Sequence, residues 1–120
     1  MEQLKLCESD YRFMQVVWAH EPVGSGELVK LCADRLGWKK PTTYTVLRKM
    51  AERGLLLNEN AVVHAIVPQE QVQAYESEHF VERAFAGSLP RFLTSFLGGK
   101  TLSEKDAEAL KRLIDEHKER

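Results

Sequence analysis

Three times between Asp10 and Arg53 the apolar residues recur at helical spacing, and the pattern then switches to two short β-runs closed by Pro68. Helices of about three turns are marginal in isolation, so these must share one core. The first runs from Asp10 to His20 with Phe13, Met14, Val17 and Trp18 on one face, Ser9 or Cys7 at its cap, and Glu21-Pro22-Val23-Gly24 as its stop. The second runs from Gly26 to Leu36 with Ser25 as cap, Leu28, Leu31, Cys32 and Leu36 inward, and Gly37 in the left-handed position after it. The third opens on the first-turn proline Pro41 and continues through Arg53. It turns Thr43, Val46, Leu47 and Met50 inward and Tyr44, Thr45, Arg48, Lys49 and Glu52 outward, and Gly54 ends it. Leu55-Leu56-Leu57 and the run from Val62 to Val67 then form a hairpin about Asn58-Glu59-Asn60-Ala61.

Three short helices followed by a hairpin is the order of a winged helix-turn-helix. The fold class is therefore mainly α, with a small β component, and residues 1–68 form the winged-helix domain. The remainder, residues 69–120, is helical throughout. One helix spans Gln69 to Ala86 and breaks at Gly87-Ser88, a second carries the apolar stripe from Leu89 to Leu97, and a third starts at Ser103 with Asp106 completing its cap. These residues hold strong apolar stripes but are too few for a core of their own. Phe80, Phe85, Leu89, Phe92 and Leu93 are therefore expected at an interface between two copies of the chain. Phe96, Leu97, Leu110, Leu113 and Ile114 complete that expected dimer interface.

At 120 residues the chain is one domain with an appendage, which excludes a large multidomain enzyme. The net charge of −1 hides an uneven distribution. Residues 38–54 carry Lys39, Lys40, Arg48, Lys49 and Arg53 against the single acid Glu52, a net of +4, whereas residues 68–120 sum to −2. Positive charge concentrated on one short helix is the footprint expected for phosphate. In such a helix Thr42 and Thr45 can hydrogen-bond bases or phosphates, Tyr44 can reach phosphate, and Lys39, Lys40, Arg48 and Lys49 supply charge.

Neither a signal peptide nor an apolar run long enough to span a bilayer is present, so a cytoplasmic protein without membrane insertion is expected. Cys7 and Cys32 form no CxxC pair and read as reduced thiols. His20, His64, His79 and His117 fall at no metal-ligand spacing, and Glu78/Glu82 and Glu104/Glu108 are ordinary surface pairs. No enzyme activity, metal or cofactor is expected.

The motifs resemble a known family, the penicillinase and methicillin-resistance repressors with the related copper-responsive repressors. Phe13-Met14-x-Val16-Val17-Trp18 is similar to its first helix, Trp38 with Thr42-x-x-Thr45 and Leu47 to its recognition helix, and Arg53-Gly54-Leu55 to the entry of its wing. Phe85-x-Gly87-Ser88 and Leu102-Ser103-x-x-Asp106-x-x-x-Leu110 resemble its arm. The resemblance implies a homodimeric repressor on a palindromic double-stranded DNA operator. In the antibiotic-resistance branch it further implies a membrane-bound sensor protease whose pathway ends in cleavage of the arm. The chain departs from the family's pattern in three places. The wing tip Asn58-Glu59-Asn60-Ala61 has no Lys or Arg, the cleaved Asn-Phe pair falls at Ser95-Phe96, and no cysteine-rich copper-binding tail precedes Arg120. The alternative function is a winged-helix protein-interaction module. Salt separates the two, because phosphate contacts weaken steeply with ionic strength and an apolar protein interface does not.

Overall fold

The computed structural model describes residues 4–119, in which six helices and a three-stranded sheet form the mainly-α winged helix expected from the sequence. One compact unit, the head, ends at Phe80, and a second, the arm, begins at Val81. The head contains α1 (Glu8–His20), β1 (Val23–Gly24), α2 (Ser25–Leu36), α3 (Lys40–Glu52), β2 (Leu56–Glu59) and β3 (Val62–Ala65). The first turns of α4 (Gln69–Phe85) also belong to it.

Each expected helix of the head is present, with small shifts at the caps. Cys7 rather than Ser9 is the N-cap of α1, and Ser25 is the first residue of α2, with Gly24 as its cap. Gly37 closes α2 at φ 70°, a left-handed conformation that an L side chain adopts only at a cost.

The stripes read from the sequence meet in one core. Phe13, Met14 and Val17 of α1, Leu28 and Cys32 of α2 and Leu47 and Met50 of α3 are buried together with Leu55, Leu56 and Val63. Phe13 stacks on Trp38 at 6.0 Å between centroids, and the Trp18 indole N–H donates to the Val67 carbonyl at 3.0 Å. Val72 of α4 is fully buried in the same core and Tyr75 packs against it, which carries the compact unit past Pro68 to Phe80.

In the hairpin Leu56 lies opposite Ala65 and Glu59 opposite Val62, so the turn is the two residues Asn60 and Ala61. Both have positive φ, 52° and 62°, as in the tight turns whose twist matches the flanking strands. A third strand was read from the sequence only as a helix stop. Val23 and Gly24 pair with Val63 and Val62, giving the order β1-β3-β2. The Ser25 N–H also donates to the Ala61 carbonyl at 2.8 Å, which ties the wing tip to the start of α2.

The arm consists of the end of α4, α5 (Leu89–Leu97) and α6 (Glu104–His117). Gly87 at φ 79° follows the end of α4, and a Cβ there would come within 2.7 Å of the Glu82 carboxylate. Ser88 and Ser103 cap α5 and α6 by accepting the N–H groups of Arg91 and Asp106 at 3.2 and 3.0 Å. Among the described residues of the arm none is buried. No described helix is long and apolar enough to cross a membrane.

Candidate nucleic-acid interface

The third helix is amphipathic in two chemical senses. Its inward face presents Thr43, Leu47 and Met50, all buried, with Val46 half-buried beside them. Thr43 is the polar member of that face, and its hydroxyl donates to the Lys39 carbonyl at 3.4 Å. Burial raises the Cys32 thiol of α2 above its ordinary range, and the polar influence of Thr43 offsets part of that rise.

The outward face carries Thr42, Thr45, Arg48 and Lys49, all exposed, with Lys39 and Lys40 exposed at the helix start. No acid sits in the first turn of α3, and the first-turn N–H groups of a helix have no intrahelical acceptor. Lys39 and Lys40 therefore add full charges to the positive end of a helix dipole, a favourable place for a phosphate. The Thr45 hydroxyl donates its proton to the Pro41 carbonyl at 2.9 Å. Toward a ligand it thus presents an acceptor oxygen and a methyl group. Tyr44 is more enclosed than its helical position suggests. It is half-buried against the core, and the Lys40 ammonium lies 6.0 Å from its ring centroid. Among the described residues Arg48 has no ion-pair or hydrogen-bond partner.

Lys49 behaves differently. Its ammonium lies 2.8 Å from the carboxylate of Asp10, a residue of α1 that is 2% exposed. Arg53 approaches the same carboxylate at 3.7 Å and donates to the Lys5 carbonyl at 2.7 Å. The hydrogen bond and charge of Asp10 together hold the Lys49 ammonium above its ordinary pKa range. In the sequence Asp10 marks only the start of the first helix, although a signal for its inward placement exists. It stands three residues before Phe13 and four before Met14, which places an acid on the buried face of α1.

The wing tip carries no cation. Asn58, Glu59, Asn60 and Ala61 are all exposed, and their formal charge is that of Glu59. Among the described residues no group of three His, Cys, Asp or Glu side chains is gathered as a metal site.

In the arm, Leu89, Phe96, Leu110, Leu113 and Ile114 are exposed, and Phe85, Phe92, Leu93 and Leu97 are half-buried. Phe80, at the end of the head, is exposed as well. Phe85, Phe92 and Phe96 form a run of ring contacts at 5.5 and 5.9 Å. Leu102, exposed between α5 and α6, extends the apolar surface beyond the residues expected from the sequence. Ser95 and Phe96 lie in the last turn of α5, where the Lys100 ammonium sits 4.4 Å from the Phe96 ring centroid and donates to its carbonyl at 2.9 Å.

The family model described as penicillinase repressor matches residues 6–116. A curated relative, the penicillinase repressor of Bacillus licheniformis, is 24% identical over 120 residues, covering 97% of this chain and 94% of the relative. Members of this family are transcription regulators and not enzymes. The chain, with its winged head and helical arm, belongs to the penicillinase repressor family.

Proposed function

We propose that the protein is a homodimeric transcriptional repressor that reads a palindromic DNA operator with α3 and is released by cleavage within its arm. The observation that carries the DNA-binding role is the outward face of α3. A helix fixed to the core through Thr43, Leu47 and Met50 presents Thr42, Thr45 and Arg48, with Lys39 and Lys40 at its positive end. Inserted in a major groove, Arg48 can pair with the acceptor edge of guanine. Thr45, with its proton already given to Pro41, can accept from the amino group of adenine or cytosine, or pack its methyl on thymine. Lys39, Lys40 and the Tyr44 hydroxyl serve the phosphates. The working place is the cytoplasm, where the operator is.

Dimerisation is assigned to the arm and the exposed Phe80, whose apolar side chains find no core of their own. Pairing raises affinity because each head increases the effective concentration of the other at its half-site. Cleavage at or beside Ser95-Phe96 would divide α6 from the head and remove that gain. The target bond is helical, so a protease in a membrane-bound sensor's pathway must first open the last turn of α5.

The acidic wing tip favours a second possibility, a winged helix that meets a protein partner. Fluorescence anisotropy of the full chain with its own upstream DNA at two salt concentrations separates the two. DNA recognition requires operator binding that weakens steeply with salt, and absence of binding at low salt would refute it.

A further inference from the structure

The ion-pair cluster between α1 and α3 is not absorbed by any role given to the surface of α3. A carboxylate at 2% exposure is a poor place for an unpaired charge, and Asp10 has two cationic partners, Lys49 at 2.8 Å and Arg53 at 3.7 Å. The closer one comes from the face assigned to DNA. If Lys49 swung to a phosphate, the buried carboxylate would exchange its short hydrogen-bonded partner for Arg53 alone at the longer distance. Arg53 is meanwhile tied to the Lys5 carbonyl, so the cluster also fastens the chain before α1 to the end of α3. Lys39, at the other end of α3, has no such anchor among the described residues.

We propose that Asp10 is a positioning residue of the recognition helix, which withdraws Lys49 from the operator and fastens the last turns of α3 to the start of α1. The proposal rests on the DNA-binding role of α3 and deepens it. Sequence position alone makes Lys49 one of four equivalent phosphate-binding cations; the ion pair divides them. Lys39 and Lys40 bind phosphate, Arg48 reads, and Lys49 locks the helix. Discrimination follows from the division. A Lys49 committed to Asp10 adds nothing to sequence-independent attraction, whereas a released one would strengthen binding to every duplex alike.

The test measures the salt dependence of binding by the full chain, using a duplex of its upstream DNA and a scrambled duplex of equal length. Each phosphate contact contributes about 0.9 to the slope of log K against log salt, or about 1.8 for two heads. Lys39→Gln should flatten the slope by about 1.8, while Lys49→Gln should leave it at the wild-type value. Asp10→Asn should steepen it by about 1.8 and reduce the preference for upstream over scrambled DNA about tenfold. Adding Lys49→Gln to Asp10→Asn should abolish the steepening, an outcome that loss of packing alone would not give. A Lys49→Gln slope as flat as that of Lys39→Gln overturns the proposal, and so does an Asp10→Asn slope equal to wild type. Should Asp10→Asn fail to fold, Lys49→Gln, a change at a half-exposed side chain, decides the matter alone. Wild-type protein that binds neither duplex would refute the underlying DNA-binding role, a result distinct from both.

Discussion

The head and the arm are built from similar helices and differ in what those helices cover. Every buried apolar side chain of the described chain lies between Leu4 and Val72, inside the head. In the arm, α5 and α6 leave Leu89, Phe96, Leu113 and Ile114 each more than half exposed. Both stretches are amphipathic, so amphipathicity alone does not make a core. Three helices, a sheet and the start of α4 enclose the head's stripes from several sides. The arm has too few elements to enclose its own. In the function proposed above, the closed head holds a recognition surface rigid and the open arm meets a second copy.

Substitutions should break this comparison in order of size. The largest effect belongs to the closed core: Phe13→Ala removes a fully buried ring stacked on Trp38 and should cost about 3 to 5 kcal/mol in chemical unfolding. Leu113→Asp combined with Ile114→Asp puts charge on surface that is exposed in the single chain. It should abolish self-association in sedimentation velocity and reduce operator affinity by about 100-fold, while Lys39 continues to govern the salt slope of the residual binding. If the doubly substituted chain still dimerises, the arm's apolar face has another purpose. Thr45→Ala should cost about 1 to 3 kcal/mol at one base pair of each half-site and leave others unchanged, as read by a set of single-base operator variants. A uniform loss across all variants would move Thr45 from base reading to phosphate contact.

The smallest effect comes from pH. Burial raises the Cys32 thiol, so the folded head keeps that proton at pH values where the unfolded chain has released it. The resulting contribution to stability is complete below the ordinary thiol pKa of about 8.5 and is lost as pH rises through the raised value. Lys49, also raised, acts in the same direction at still higher pH. Melting temperature should therefore fall on the alkaline side, and a Cys32→Ala chain should show a shallower fall. Thiol labelling supplies the contrast within the head: exposed Cys7 should react in the folded protein and buried Cys32 only on unfolding.

Elements with local punctuation were legible from residue order. The limits of α5 follow from the break at Gly87-Ser88 before it and Gly98-Gly99 after it, and the observed Leu89–Leu97 reproduces them. The inward face of α3 followed from its period, because Thr43, Leu47 and Met50 occupy one side whatever they pack against. Features created by a distant partner were not legible. β1 is two residues long and exists through its pairing with Val62 and Val63, so it carries no period of its own. The turn at Asn60-Ala61 needs positive φ at an alanine, which residue type does not announce. The partner of Lys49 is on another helix, and without it the cation looked like its neighbours.

The central claim, that the head reads DNA and the arm pairs two heads, is tested most directly by hydroxyl-radical footprinting of the full chain on its upstream DNA. It predicts two symmetric protected half-sites separated by about one helical turn of 34 Å or a multiple of it. Both protections should disappear together in the Arg48→Ala, Thr45→Ala chain and weaken together in the Leu113→Asp, Ile114→Asp chain. A single unsymmetrical protection, or a paired one that survives both sets of substitutions, would contradict it.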